Sequence, residues 1–113
     1  MISSMRRSQE LEDKYRRELK KGNVPFAKRK VIFDFDDWLV IRNDFPYDLL
    51  YRKHHLLIPK VAFSKFTDIS RVSQVRYHVI LSKLEEHYDL YFVNMAKNRS
   101  VRSHWHCHLA RYR

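Results

Sequence analysis

Three histidines recur at alternate positions in His104-Trp105-His106-Cys107-His108-Leu109-Ala110, near the end of a chain of 113 residues. On an extended segment alternate side chains share a face, so a strand over residues 103–110 would align three imidazoles on one side and send Trp105, Cys107 and Leu109 into a core on the other. Neutral imidazole can attack phosphorus near pH 7, because its ordinary pKa is about 6.5, provided neighbouring groups fix its tautomer and neutralise the phosphate. It is equally a zinc ligand. Along a strand, however, His104 and His108 would stand roughly 13 Å apart, too far to share one ion at about 2 Å, which disfavours a three-histidine zinc site. A two-histidine site completed by His54 or an aspartate stays open. The blandest reading is a polar, solvated sheet face, and three imidazoles in register beside the basic loop Lys97-Asn98-Arg99-Ser100-Val101-Arg102-Ser103 argue against it.

Such a row needs a sheet, and the remaining sequence supplies one. Residues 30–42 read as two strands joined at an acidic turn, since β-branched and aromatic runs flank Asp36-Asp37. His55-Leu56-Leu57-Ile58 is a third strand closed by Pro59, which has no N–H for a ladder. Residues 90–95 and 103–110 bring the total to about five. Between Asp68 and Tyr88, the residues Ile69, Val72, Val75, Val79, Ile80 and Leu84 recur at helical spacing and predict the main helix. The expected fold is α+β, an antiparallel sheet with that helix packed on one face, in a domain over residues 30–113. Residues 4–21 predict a further helix within a basic N-terminal arm, residues 1–29. It carries acid-before-base pairs at spacing four (Glu10 with Lys14, Glu12 with Arg16, Asp13 with Arg17) and ends at Gly22-Asn23. Its thin apolar stripe, Leu11, Tyr15 and Leu19, suits a surface position or a partner's surface. Trp38, Trp105 and the tyrosines are expected in the core and not as base-stacking platforms.

The pattern His-φ-His-φ-His-φ-φ, with φ hydrophobic, resembles the histidine triad superfamily of nucleotide hydrolases and transferases. Upstream segments match in the family's order: residues 31–41 resemble its first hairpin, and Asn43-Asp44-Phe45-Pro46-Tyr47 its ribose-contacting turn. His54-His55-Leu56-Leu57-Ile58-Pro59-Lys60 is similar to the following strand, and Tyr91-Phe92-Val93-Asn94 to the strand that ends in a phosphate-side Asn. The likeness spans residues 30 to 110. It implies His106 as the nucleophile on the α-phosphorus, forming a nucleotidyl-histidine intermediate. His108 would contact the phosphate, His104 orient the row, and His54 support the nucleophile. Asn43 would hold the ribose and Asn94 a phosphate oxygen, with Ser100 or Ser103 as the hydroxyl donor before the triad. It also implies pairing into a homodimer. The Gly-rich, Gln-containing stretch usual before the triad is absent, and Arg102 and its basic neighbours would take its place at the phosphate. The segment Leu49-Leu50-Tyr51-Arg52-Lys53 is lengthened relative to the family.

Composition narrows the alternatives. One glycine, Gly22, rules out a phosphate-cradling glycine loop and a dinucleotide-binding turn. One cysteine, Cys107, allows no internal disulfide or Cys-type zinc site and points to a reducing compartment. Apolar runs are about four residues long against the 18 or more of a membrane span, and the first residues lead into a charged helix; a cytoplasmic protein with no membrane partner is expected. The net charge of +10 lies at the ends, with ten Lys or Arg against four acids in residues 1–30 and five against none in residues 96–113. Such ends attract polyanions, so nucleic acid joins a nucleotide or nucleotide conjugate as an expected partner. The leading function is therefore a nucleotide hydrolase or nucleotidyl transferase acting through His106. The alternatives are a non-catalytic nucleotide- or RNA-binding module and a small scaffold. Phosphoryl transfer by histidine needs no metal or other cofactor, and none is expected.

Overall fold

The structure, a computed structural model, describes residues 6–21, 30–98, 101 and 103–113. Its elements are α1 (Gln9–Lys20), β1 (Val31–Asp34), β2 (Trp38–Arg42), β3 (Tyr51–Pro59), α2 (Arg71–Lys83), β4 (Leu90–Phe92) and β5 (Cys107–Tyr112), with short 3-10 turns at Phe66–Asp68 and Ala96–Asn98. The strands form one antiparallel sheet in the order β1-β2-β3-β5-β4. This is the α+β fold the sequence predicts. Between β1 and β2 the chain reverses at Asp36, whose φ of 73° is left-handed. Aspartate tolerates that conformation, and here the Asp36 N–H is held by Asp34 Oδ1 at 2.9 Å.

One sheet face packs on α2. Trp38, Val40, Leu57, Trp105, Cys107 and Leu109 meet Ile69, Tyr77, Ile80, Leu84 and Tyr88 in a single buried cluster, so both tryptophans are core. Each fully buried aliphatic side chain there contributes about 1.5–3 kcal/mol. Polar bonds fix the helix against the β1–β2 turn: the Trp38 indole N–H donates to the Ser73 carbonyl at 2.9 Å, and Arg76 pairs with Asp37 at 2.8 Å. The helix is shorter than the predicted span, starting after Ser70, whose hydroxyl accepts from the Ser73 N–H. Its predicted apolar stripe also divides. At about 100° per residue, Tyr77, Ile80 and Leu84 share the inner side, while Val72, Val75 and Val79 fall opposite and are exposed. Spacing alone had grouped them.

The second sheet face carries Leu39, Ile41, Leu56 and Ile58 and, beside them, the histidines. Strand β3 begins at Tyr51, ahead of the predicted His55, and two further boundaries differ from expectation for one shared reason. Phe92 pairs with His108, so continuing β4 to Met95 would require a partner strand reaching Trp105. Residues 103–106 leave the ladder instead, where the Trp105 N–H bonds the Phe63 carbonyl, and β5 begins at Cys107 and runs on to Tyr112.

The arm's helix also begins later than predicted, at Gln9. Ser8 caps it, its hydroxyl accepting from the Leu11 N–H at 3.4 Å and its own N–H going to Asp48 Oδ1 at 2.7 Å. Of the three expected pairs at spacing four, Glu12 with Arg16 is present as an ion pair at 3.7 Å. Glu12 is not a surface residue, however: it is buried and pairs with buried Arg7 at 3.1 Å. The described arm docks on its own domain, with Tyr15 against Phe45 and the Arg6 carbonyl accepting from the Leu49 N–H. The Gly22-Asn23 stop lies outside the described residues.

Candidate active site

The three histidines do not form an even row on one strand. His108 lies in β5, whereas His104 and His106 belong to the bent lead-in before it. They do not face solvent either: His104, His106 and His108 are 6%, 2% and 3% exposed. The solvated-face reading, which the sequence already disfavoured, does not hold: Tyr47 of the β2–β3 connection packs on His54 and His108, and Arg6 and Arg7 of the arm lie over the Tyr47 ring.

Each ring is fixed by a partner that dictates where its proton sits. His104 Nε2 lies 2.9 Å from the Pro59 carbonyl oxygen and donates to it, fastening the lead-in to the end of β3. His106 Nδ1 lies 2.9 Å from the His104 carbonyl oxygen. A carbonyl only accepts, so Nδ1 carries the hydrogen and the lone pair of the neutral ring is on Nε2. That is the tautomer a nucleophilic imidazole requires. The rings of His106 and His108 stand 5.0 Å apart.

His54 comes from β3, the strand beside β5, and it bonds His108 and not His106: His54 Nε2 and His108 Nδ1 are 2.7 Å apart. The Tyr47 backbone N–H donates to His54 Nδ1 at 2.9 Å. With that nitrogen accepting, the His54 proton must be on Nε2, which donates to His108 Nδ1 and leaves the His108 proton on Nε2. Next to His108 Nε2 is the Asn94 amide, whose Nδ2 position lies 3.3 Å from it and 3.2 Å from the Tyr47 hydroxyl. Two N–H donors do not face each other, and a half-turn exchanges amide nitrogen for oxygen. The Asn94 oxygen therefore belongs on this side, accepting from His108 Nε2–H and Tyr47 O–H. The Tyr47 oxygen in turn accepts from Arg6 Nη1 at 2.9 Å. Phe92 stacks flat on His108, with ring centroids 4.5 Å apart.

Burial, before any charge effect, favours the neutral rings. It pushes His54 down to about 3, helped by the Arg7 charge, and His108 down to about 2, helped by the neighbouring His54 and His106. At neutral pH both are uncharged hydrogen-bonding groups.

Asn43 half-turns the chain into this site: its Oδ1 accepts from the Phe45 N–H at 2.9 Å and its amide nitrogen stands 3.5 Å from His54 Nδ1. Asn43 and His54 border a hollow of about 790 Å³ between α1 and the sheet. Ile41, Leu56, Tyr15 and Phe45 give it apolar walls; Lys14, Lys30, Arg42, Arg52, Lys53 and Arg113 supply cations. None of His104, His106, His108 and Asn94 is part of its lining.

The structure thus gathers His54, His104, His106, His108 and Asn94, with Asn43 touching His54. Ser103 is exposed, and Ser100 and Arg102 lie outside the described residues. Tyr47, Phe92 and Arg6 were not legible as site residues. Tyr47 and Phe92 lie in segments that the resemblance covers but for which it implies only Asn43 and Asn94 as contacts, and Arg6 is one of many arm cations. Among the described residues no group of three or more His, Cys, Asp or Glu side chains is placed to hold a metal ion, and no helix is long and apolar enough to cross a membrane.

Neither the protein-family models nor the curated proteins compared with the chain give a match. Solved structures do. A HIT family hydrolase from Legionella pneumophila Philadelphia 1 superposes with a TM-score of 0.59 at 20% identity, over 85% of this chain and 89% of that one. A histidine triad protein from Clostridium difficile gives 0.54 at 22% identity, over 85% and 88% of the two chains.

Proposed function

Proceeding from a fold shared with those histidine triad proteins, we propose that this chain processes nucleotide conjugates, with His106 as nucleophile on the α-phosphorus. The observation that carries the reading is the Nδ1–H bond from His106 to the His104 carbonyl at 2.9 Å, which puts the lone pair of the neutral ring on Nε2, the attacking atom in this proposal. In the first step Nε2 bonds to phosphorus as the bond to the leaving group breaks, giving a nucleotidyl-histidine. His108 Nε2–H, which the Asn94 oxygen accepts in the structure, is the donor beside this centre and on this reading passes from Asn94 to the departing group or a phosphate oxygen. In the second step water, or an acceptor hydroxyl in a transferase, displaces the histidine. His54 acts by holding the His108 tautomer, Asn94 by contacting the phosphate, and Asn43 by contacting the ribose at the edge of the hollow. Catalysis on this reading is positioning and charge compensation.

The test is release of nucleoside monophosphate from a panel of adenosine and guanosine phosphoramidates and dinucleoside polyphosphates. Turnover should be lost in His106→Asn, with a nucleotidyl adduct recoverable on His106 of the unmodified protein; a fully active, folded His106→Asn ends the proposal. A second reading, a non-catalytic nucleotide-binding module, is favoured by one observation. The hollow is bordered by Asn43 and His54, whereas His104, His106 and His108 are buried and do not line it. Nucleotide-dependent thermal stabilisation without any adduct would select it.

A further inference from the structure

A phosphate brought beside His106 meets His54 and His108, which burial keeps uncharged, and the neutral Asn94 amide. An anion in such a place needs a cation, because its desolvation is otherwise uncompensated. In the basic loop before the triad Lys97 is exposed, and Arg99 and Arg102 lie outside the described residues. The arm supplies two guanidinium groups at the site itself. Arg7 is committed: it pairs with Glu12 at 3.1 Å and donates from Nε to the Phe45 carbonyl at 2.8 Å. Arg6 is not. Its guanidinium lies 4.4 Å from the centroid of the Tyr47 ring, Nη1 donates to the Tyr47 hydroxyl at 2.9 Å, and its buried Nε has no hydrogen-bond partner. Arg6 has no carboxylate partner among the described residues. It is joined through the Tyr47 hydroxyl and the Asn94 amide to His108 Nε2.

We propose that Arg6, carried by the N-terminal arm, is the phosphate-binding cation of the histidine site, with the Tyr47 hydroxyl holding its guanidinium in place before an anion arrives. The ligand class is a phosphoryl group of a nucleotide or nucleotide conjugate. An anion beside Tyr47 would accept the Nε–H that has no acceptor and balance a charge that has no counter-ion. The inference rests on the reading of the site as phosphate-processing and gives the arm a part in it.

The experiment compares the full chain with Arg6→Gln, Arg6→Lys and, as a surface control, Arg17→Gln. Calorimetric binding of AMP should weaken at least about tenfold in Arg6→Gln while adenosine binding is unchanged, as expected for a charged hydrogen bond to phosphate. Arg6→Lys should recover part of the loss and Arg17→Gln should show none. Equal weakening of AMP and adenosine, or no weakening of either, overturns the proposal. An independent arm titrates the unsubstituted protein with inorganic pyrophosphate and follows the arginine Nε–H signals by NMR. The Arg6 signal should move, and an unresponsive one overturns the proposal whatever the variants do. A responsive Arg6 in a protein without turnover upholds this inference and defeats the catalytic reading; turnover with an unresponsive Arg6 does the reverse.

Discussion

His54 Nε2 and His108 Nδ1 lie 2.7 Å apart across the β3–β5 pair, both rings buried. Because the Tyr47 N–H claims His54 Nδ1, this bond has a single direction, from His54 to His108; it lasts only while His108 Nδ1 is unprotonated, and the Tyr47 bond only while His54 Nδ1 is.

Burial of this pair contributes to the pH response of the fold, together with His55, which burial pushes down to about 4. Both pKa values are depressed from 6.5, to about 3 for His54 and about 2 for His108, so below pH 6.5 the unfolded chain takes up protons that the folded chain refuses. The stabilisation is complete above pH 6.5 and declines as pH falls toward the folded values, by up to about 1.4 kcal/mol per pH unit for each ring. Denaturant melts between about pH 7 and pH 5, above the range where carboxylates titrate, should show this loss. In His108→Gln the slope should be shallower, and an unchanged slope would refute the neutral pair.

The buried pair of Arg7 with Glu12 predicts an asymmetric mutational response. Arg7→Met alone leaves the buried Glu12 carboxylate with only the longer pair to exposed Arg16 at 3.7 Å and should cost about 3 kcal/mol. Adding Glu12→Leu removes the stranded charge and should recover much of the loss. Urea melts of the two single variants and the double variant measure the coupling; simple additivity would contradict it.

Helix α2 provides a packing test. Ile80 is buried against the sheet, so Ile80→Ala should cost about 2–5 kcal/mol. Val75 and Val79 face outward, and Val75→Lys or Val79→Lys should change stability by no more than about 0.5 kcal/mol. Thermal or chemical melts that rank these variants otherwise would mean that the helix presents a different side.

Cys107 is buried in the core, and burial pushes its thiol up to about 12. A thiol that is neither exposed nor ionised does not react. Ellman's reagent should leave the native protein unlabelled and label one thiol once it is unfolded; rapid labelling of the native chain would place Cys107 elsewhere.

Much of the fold was written in local pattern. The β1–β2 hairpin follows from residue types around Asp36-Asp37, β3 ends at its predicted proline, and Trp105, Cys107 and Leu109 fall in the core on the side that alternation assigns them. The triad spacing marked its own residues and, with the upstream segments, indicated the fold. Local pattern failed where two elements had to agree. Val72, Val75 and Val79 repeat at helical spacing as well as Ile80 and Leu84 do, and only the sheet's position selects which set is covered.

The sequence by itself determined the strand and helix types and the presence of a histidine cluster, because alternation and helical spacing depend on residues a few positions apart. Tertiary structure alone decided that His54 bonds His108, that residues 103–106 leave the ladder, and that Tyr47, Asn94 and Arg6 close a hydrogen-bonded circuit over the imidazoles. Arg6 and Tyr47 are 41 positions apart, and Asn94 is 47 beyond Tyr47. No short-range periodicity encodes such meetings; they arise when the sheet order and the docking of the arm bring distant donors and acceptors to one buried place, where each must find a partner.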